Sequence, residues 1–273
     1  MKLRVATCTT LPEVDVDEAP LMAALAAANI DAKLVAWDDP SADWDAPIPT
    51  IIRSTWNYSL HLDAFLAWVD RAAASAPLFN PPDVVRTNVR KRYLLELAQR
   101  GVPVIRTILV GRCDQLPAMA GRFVVKPEVG AGSRDTQVFD SLDDDARALA
   151  ARITASGNAM IQPYLRSVED YGERSVIYID GELTHEIRKS PRFSGDNESV
   201  TGPFPIADDE RAVAEAALAP YRDRILYGRV DMARDESGQP MVMELELVEP
   251  SLFFVKHPPA LDRYIAGLVR RLS

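Results

Sequence analysis

Two runs near the C-terminal end alternate apolar with charged residues: Tyr227–Met232 (YGRVDM) and Met241–Glu249 (MVMELELVE), joined by Asp235-Glu236-Ser237-Gly238-Gln239-Pro240. Such alternation marks strands with two unlike faces, and Ser-Gly between them marks a hairpin turn. A turn centred on Ser237-Gly238 sets Asp231 opposite Glu244 and Arg229 opposite Glu246, all on one face. The other face carries Val230, Met232, Met243, Leu245 and Leu247, so the carboxylates cannot change sides without exposing a core. Like charges directly opposed across a ladder destabilise it. A hard divalent cation resolves that repulsion, since Mg²⁺ takes one or two carboxylates together with phosphate oxygens and water. A solvated acidic face on which Arg229 pairs with Glu246 resolves it too.

The rest of the chain reads as α/β. Expected strands at 3–9, 32–37 and 49–55 alternate with helices at 18–29 and 62–75, the pattern of a small parallel unit. It carries no GxGxxG, so it is not read as a dinucleotide domain. Pro81-Pro82 marks a boundary, giving an N-terminal unit over 1–85 and a remainder over 86–273. A helix is expected over 87–100, closed by Gly101 and Pro103. Strands follow near 103–110, 122–128, 136–140, 159–165, 173–180 and 182–189, with helices near 141–155, 208–219 and 260–272 and a loop over 190–207.

Several function classes drop out on composition. The formal charge of −9, from 31 Lys+Arg against 40 Asp+Glu, lacks the basic footprint that nucleic-acid binding requires. No apolar run reaches membrane-spanning length, and no signal-peptide core follows Met1-Lys2-Leu3-Arg4 before Pro12. Cys8 and Cys113 form no CxxC pair, which suits unpaired thiols in a reducing compartment. The expectation is a soluble cytoplasmic protein with no nucleic-acid or membrane partner. His61, His185 and His257 are scattered with no Ser or Cys nucleophile motif beside them, so a hydrolase triad is set aside. They are read as structural, with His185 and Lys189 as weak active-site candidates.

Residues 123–135 (FVVKPEVGAGSRD) are not a Walker A loop, because no Lys-Ser/Thr follows the glycines. They read as a strand, a turn through Gly130, Gly132 and Ser133, and a second strand. Such a flap can lay backbone N–H groups over phosphates, with Lys126 as a point charge; an ordinary surface turn has the same look. Lys91 lies in Asn88-Val89-Arg90-Lys91-Arg92 on the preceding helix, where a basic run is often only a solvated face. The strand Ile161-Gln162-Pro163-Tyr164-Leu165 offers backbone to an adenine edge, and Glu169 and Asp170 beyond it can accept from ribose hydroxyls.

The order Asn88…Lys91, Val125-Lys126-Pro127 with its glycine loop, Gln162-Pro163-Tyr164, Gly172-Glu173-Arg174, Arg229-Val230-Asp231 and Glu244-Leu245-Glu246 resembles the ATP-grasp superfamily, which includes glutathione synthetase and D-alanine–D-alanine ligase. The likeness covers nearly the whole chain. It implies an ATP-grasp fold with an N-terminal pre-ATP-grasp, Rossmann-like domain over 1–85 and an ATP-grasp module over 86–273, its small central lobe near 112–166. It implies ATP and Mg²⁺ as cofactors and a carboxylate–amine ligase working through an acyl phosphate. Carried over by position, Lys91 and Lys126 hold the nucleotide with Gly132 and Ser133; Gln162, Tyr164 and Leu165 form the adenine hinge; Glu169 and Asp170 meet the ribose. Asp231, Glu244 and Glu246 become the metal ligands, and Arg229, Lys126 and Arg174 the catalytic cations. Many relatives end the metal strand in Glu-x-Asn; Glu-x-Glu here leaves the number of magnesium ions open. A small-molecule kinase and a non-catalytic nucleotide-binding protein are the competing readings.

Arg53-Ser54-Thr55-Trp56-Asn57-Tyr58 falls where a parallel strand ends, which is where open α/β sheets bind ligands. Arg53 can clamp a carboxylate while Ser54, Thr55, Trp56 and Asn57 orient it, or the segment is a packing cluster at a domain junction. Ser251, in Pro250-Ser251-Leu252-Phe253-Phe254, closes the pocket or belongs to an apolar plug. The first segment together with Glu244–Phe254 (ELELVEPSLFF) resembles a narrower group that includes the cyclo-ligases closing O-ureido-D-serine to D-cycloserine. That likeness implies antibiotic biosynthesis, a small amino-acid-like carboxylate substrate and an internal nucleophile. Superfamily members are often homodimers.

Overall fold

The computed structural model describes residues 1–112, 114, 116–132, 134–190 and 199–273. Strands β1 (Lys2–Thr7), β2 (Asp31–Ala36), β3 (Thr50–Ile52) and β4 (Leu78–Phe79), with helices α1 (Glu18–Ala27) and α2 (Leu62–Ser75), make the first unit. Its strands run parallel in the order β2-β1-β3-β4. All three residues of β3 are buried, as parallel strands covered on both faces require. Helix α2 buries Phe65, Trp68, Val69 and Ala72 on one stripe, against Trp37, Trp44 and Tyr58. The strand expected to run to 55 stops at Ile52. Arg53 donates its N–H to Ala6 O and Thr55 to Arg53 O, which folds the chain inward.

The helix expected over 87–100 is two helices, α3 (Pro82–Asn88) and α4 (Tyr93–Gln99). Between them Lys91 N–H reaches Glu128 O at 3.0 Å, and Arg92 grips the buried Glu128 carboxylate through Nε at 2.5 Å and Nη2 at 3.1 Å. A contact distant in sequence overrides local helix propensity here.

Next come β5 (Ile108–Val110), β6 (Phe123–Pro127), β7 (Gln137–Phe139), α5 (Asp144–Thr154) and β8 (Ala159–Pro163). They form a second, antiparallel sheet in the order β5-β8-β6-β7. Phe123, Val125 and Ile161 on one face pack on Leu149, Ala150 and Ile153 of α5. Asp143 caps that helix by accepting the Ala146 N–H at 2.9 Å. Strand alternation turns Lys126 and Gln162 to the opposite face.

The chain ends with α6 (Ser167–Asp170), β9 (Glu173–Ile179), β10 (Glu182–Lys189), β11 (Val200–Phe204), α7 (Asp208–Leu218), β12 (Tyr227–Arg234), β13 (Pro240–Glu246) and α8 (Pro258–Leu272). The third sheet runs β11-β10-β9-β12-β13. Strand β11 falls inside the stretch expected to be a loop; it pairs with β10 through Glu186–Lys189. Residues 191–198 of that stretch lie outside the described residues.

One face of the third sheet, with Val176, Val230, Met232, Leu245 and Leu247, packs against Leu94 and Leu97 of α4 and Ala214 and Ala217 of α7. On the other, Ile177, Ile179, Ile187 and Tyr227 meet α1, α8 and the first sheet. At its end this second face changes from apolar to charged, and the functional residues gather there.

Docking of α8 depends on Gly267. A Cβ there would lie 2.6 Å from Asp180 Cγ, and Asp180 is held by Arg270 and by Arg271 Nη2 at 2.9 Å. Gly267→Ala therefore forces the helix off a charged, ordered partner. We expect a loss of about 1–3 kcal/mol, read as a lower Tm in thermal unfolding with the fold kept at low temperature.

Candidate active site

The β12–β13 hairpin has the register its alternation requires: Arg229 pairs with Glu246 and Asp231 with Glu244. Gly238 sits at φ 84° in the turn, and its N–H reaches Asp235 O at 3.0 Å. Beyond Asp231 the ladder shifts, with Met232 opposite Val242, so Met243 is a bulge residue and Val242 takes the core position expected for Met243.

Every carboxylate on this face meets a cation. Arg229 donates Nε to Asp231 Oδ1 at 2.8 Å, and Nη2 to Asp231 Oδ2 at 2.9 Å and to Glu246 Oε1 at 2.6 Å. Its Nη1 reaches Ser251 O at 3.1 Å. Lys189 Nζ bridges Asp231 Oδ2 at 2.8 Å and Glu173 Oε1 at 2.5 Å. Lys126 Nζ crosses from the second sheet to Glu244 Oε1 at 2.7 Å. Lys91 Nζ lies 3.7 Å from Glu244 Oε2 and donates to Gly130 O at 2.7 Å.

The titration of these groups follows from burial set against those cations. Burial opposes ionising Glu244, but Lys126 and Lys91 outweigh it and pull its pKa down to about 2. Asp231 is likewise held well below the usual range by Arg229 and Lys189 against burial. At Glu246 burial wins over Arg229 and raises the pKa. Glu173 rises to about 7, burial outweighing Lys189.

The donor set favours a cation on part of the expected triad. Glu244 and Glu246 stand two positions apart on one face and keep 26% and 30% of their side-chain surface, which suits one or two carboxylates on Mg²⁺ with phosphates completing the shell. Asp231 is 2% exposed, and both its oxygens are engaged by Arg229 and Lys189. Among the described residues no three acidic, His or Cys side chains form a ready metal cage. The three-carboxylate cluster expected from the sequence is thus not assembled here, because Arg229 and Lys189 claim Asp231.

Arg174 does not join the group. It neighbours Glu173 on β9, so alternation turns it to the other face, where Nη1 bonds Glu186 Oε1 at 3.0 Å and the guanidinium lies over Tyr171 and Phe204. Burial and the nearby Glu210 push Glu186 up to about 8. Lys189, by contrast, is central although its sequence signal was weak. His185 shares its face but stacks on His257 with ring centroids 4.9 Å apart; burial holds it neutral, with a pKa of about 4.

Of the nucleotide candidates, Gln162 lies on the same face of the second sheet as Lys126 and donates Nε2 to Thr107 Oγ1 at 2.9 Å. The strand expected to run to 165 ends at Pro163; Tyr164 still donates its N–H to Arg122 O, and Leu165 follows in the turn that accepts Val168 N–H. Glu169 is already bound by Tyr164 OH at 3.0 Å and Arg122 Nη1 at 2.9 Å; Asp170 stays exposed, its carbonyl accepting from Arg188 at 2.5 Å. Gly132 adopts φ 62° in open space. Ser133 lies outside the described residues.

The substrate segment behaves differently from expectation. Arg53 is 2% exposed and pairs with Asp17 at 3.3 Å; Ser54 and Thr55 are equally buried, Ser54 Oγ lying 3.0 Å from Thr7 Oγ1. The inward turn after β3 buries all three. Asn57 is spent on Trp37 Nε1 and Asp38 Oδ2, each at 2.7 Å. Trp56 and Ser251 do border the charged face: Trp56 Nε1 donates to Glu249 O at 3.1 Å, and Ser251 O accepts from Arg229. Two further residues were given no site role from the sequence. Asp17 pins Leu252–Phe254, and Glu249 stands just beyond the metal strand.

Comparison with known proteins agrees with this geometry. The family of the D-cycloserine synthetase DcsG N-terminal domain matches residues 3–80. Cycloserine biosynthesis protein DcsG of Streptomyces lavendulae is 35% identical over 296 aligned positions, spanning 98% of each chain. The crystal structure of D-cycloserine synthetase DcsG superposes over 100% of both chains with a TM-score of 0.89 at 33% identity. D-alanine–D-alanine ligase of Bacillus anthracis, solved in complex with ATP, shares the fold at a TM-score of 0.67 and 17% identity, over 98% of this chain and 95% of that one. This chain belongs to the DcsG family of ATP-grasp enzymes, ATP-dependent ligases that form carbon–nitrogen bonds.

Proposed function

We propose that this protein is an intramolecular ligase that activates the carboxylate of a small amino-acid derivative with ATP and closes it to a ring, with O-ureido-D-serine as substrate and D-cycloserine as product. The observation that carries the reading is the meeting of Lys126 and Lys91, from two separate elements, on the single carboxylate of Glu244. Lysines so placed exchange Glu244 for phosphate oxygens when nucleotide enters, and Glu244 is then released to face a cation. Glu244 and Glu246 would hold Mg²⁺, which when bound offsets the negative charge of the phosphate groups. In this reading residues 1–85 form the N-terminal domain and 86–273 the ATP-grasp module.

The substrate carboxylate attacks the γ-phosphorus of ATP, giving an acyl phosphate and ADP. The ureido nitrogen bonded to oxygen then attacks the acyl carbon and inorganic phosphate leaves; water removes the carbamoyl group from that nitrogen as carbon dioxide and ammonia, which leaves the free ring. Arg229 neutralises charge on the phosphoryl group during both steps, and Asp231 aligns its guanidinium through two hydrogen bonds. Lys189 adds a second positive charge beside it. Positioning and electrostatics carry such a reaction, with little covalent work for the protein.

The test is phosphate release with O-ureido-D-serine and a panel of amino acids and their O-substituted derivatives, followed by mass analysis of products. Free phosphate and a ring lighter by the expected leaving groups support the proposal. A stable phosphoester would make the protein a kinase, and no ATP turnover across the panel would overturn the reading. Lys126→Ala is expected to raise the KM for ATP by roughly 10- to 100-fold, the worth of one charge-assisted hydrogen bond.

A further inference from the structure

Glu249 differs from every other carboxylate around the site. Asp17, Glu173, Asp231, Glu244 and Glu246 each have a cation within ion-pair distance. The Glu249 side chain has no ion pair or hydrogen bond to any described residue, although it is partly buried and feels Lys91, Arg229 and Arg53 from a distance. Its backbone is fixed on both sides. Tyr227 OH donates to Val248 O at 2.9 Å, Trp56 Nε1 to Glu249 O at 3.1 Å and Arg229 Nη1 to Ser251 O at 3.1 Å. The main chain that carries this carboxyl is thus fixed next to Arg229, and the carboxyl itself has no partner among the described residues.

Burial raises this carboxyl to about 8, with the neighbouring Glu246 adding to the effect. A partly desolvated acid without a partner stays protonated until a cation docks against it. Lys91 donates to Gly130 O, Arg229 to Asp231 and Glu246, and Arg53 pairs with Asp17 and makes no contact with Glu249, so the complement comes from the ligand. The substrate's reacting carboxylate must approach Arg229 at the Ser251 end, and in an α-amino acid the ammonium group lies one carbon from that carboxylate.

We propose that Glu249 receives the α-ammonium group of the substrate and so restricts the enzyme to aminated carboxylates. The inference rests on the ligase reading above. It assigns substrate recognition to Glu249 and Trp56, in place of the buried Arg53.

The experiment compares wild type and Glu249→Gln on O-ureido-D-serine and on its desamino counterpart, 3-(ureidooxy)propanoic acid, by steady-state phosphate release. ADP affinity and Tm serve as controls for folding and for the nucleotide site. For wild type, kcat/KM on the amino substrate should exceed that on the desamino one by roughly 10-fold or more. Glu249→Gln should raise the KM for the amino substrate by a similar factor, leave the desamino substrate and ADP binding unchanged, and so abolish the preference. Equal losses on both substrates, or no loss on either, overturn the assignment. Failure of wild type to release phosphate with either compound is a different result: it overturns the ligase reading, and the assignment falls with it.

Discussion

Glu244→Gln combined with Glu246→Gln is expected to lower kcat by about a thousandfold or more, while leaving the protein folded and able to bind ADP in the absence of magnesium. The two effects separate because of what each carboxylate touches. Both side chains are partly open, at 26% and 30% exposure, and both act as acceptors for cations that reach them from elsewhere. Glutamine keeps their shape and removes two negative charges. Lys126, Lys91 and Arg229 then face the crevice with less opposing charge, so phosphate groups alone bind at least as well as before. The oxygens that would hold a divalent cation are gone, and phosphoryl transfer loses its charge compensation. Kinetics of phosphate release and calorimetry of magnesium-free ADP binding read the two arms. An unchanged turnover rate would remove this face from the chemistry altogether.

Asp17→Ala is expected to cost about 3–5 kcal/mol of stability, a larger loss than any substitution at the rim of the site. Asp17 is fully buried and accepts the N–H groups of Leu252 at 2.5 Å, Phe253 at 3.0 Å and Phe254 at 2.8 Å, while Arg53 pairs with it at 3.3 Å. Alanine would leave three backbone donors and one guanidinium buried without an acceptor, and Arg53 Nε and Nη1 already lack partners. Asp17→Asn keeps an acceptor oxygen but not the charge, so it should fall between wild type and alanine. Chemical denaturation measures both variants. A shift within about 0.5 kcal/mol would mean that this buried pin is not what joins the N-terminal sheet to the segment after β13. Because that segment also carries Glu249 and Ser251, the alanine variant should lose substrate affinity even below its Tm.

Local pattern reached far at some positions and failed at others for identifiable reasons. Helix α2 runs over Leu62–Ser75, the bounds its apolar stripe announced. The helix expected over 87–100 broke because Glu128 recruits the backbone of Lys91 and the side chain of Arg92, a partner that no window around Lys91 contains. Strand β11 was hidden by Gly202 and Pro203, residues that elsewhere signal a loop. Arg174 was matched by motif to a catalytic role, yet its neighbour Glu173 already occupies the charged face, and alternation sends Arg174 to the other. Arg53 looked available because it ends a parallel strand; the turn that follows buries it.

From the amino-acid order alone came the pairing of Arg229 and Asp231 with Glu246 and Glu244, because strand alternation and a Ser-Gly turn leave one register that keeps the apolar residues together. Family membership was legible for the same reason, since short motifs preserve their order along the chain. Which cation answers which carboxylate was decided only in three dimensions. Lys126 meets Glu244 across 118 positions, Lys189 meets Asp231 across 42, and Asp17 reaches Leu252 across 235. Dihedral preference and side-chain alternation act over a few residues, whereas the electrostatic balance of a buried site depends on where distant segments come to rest.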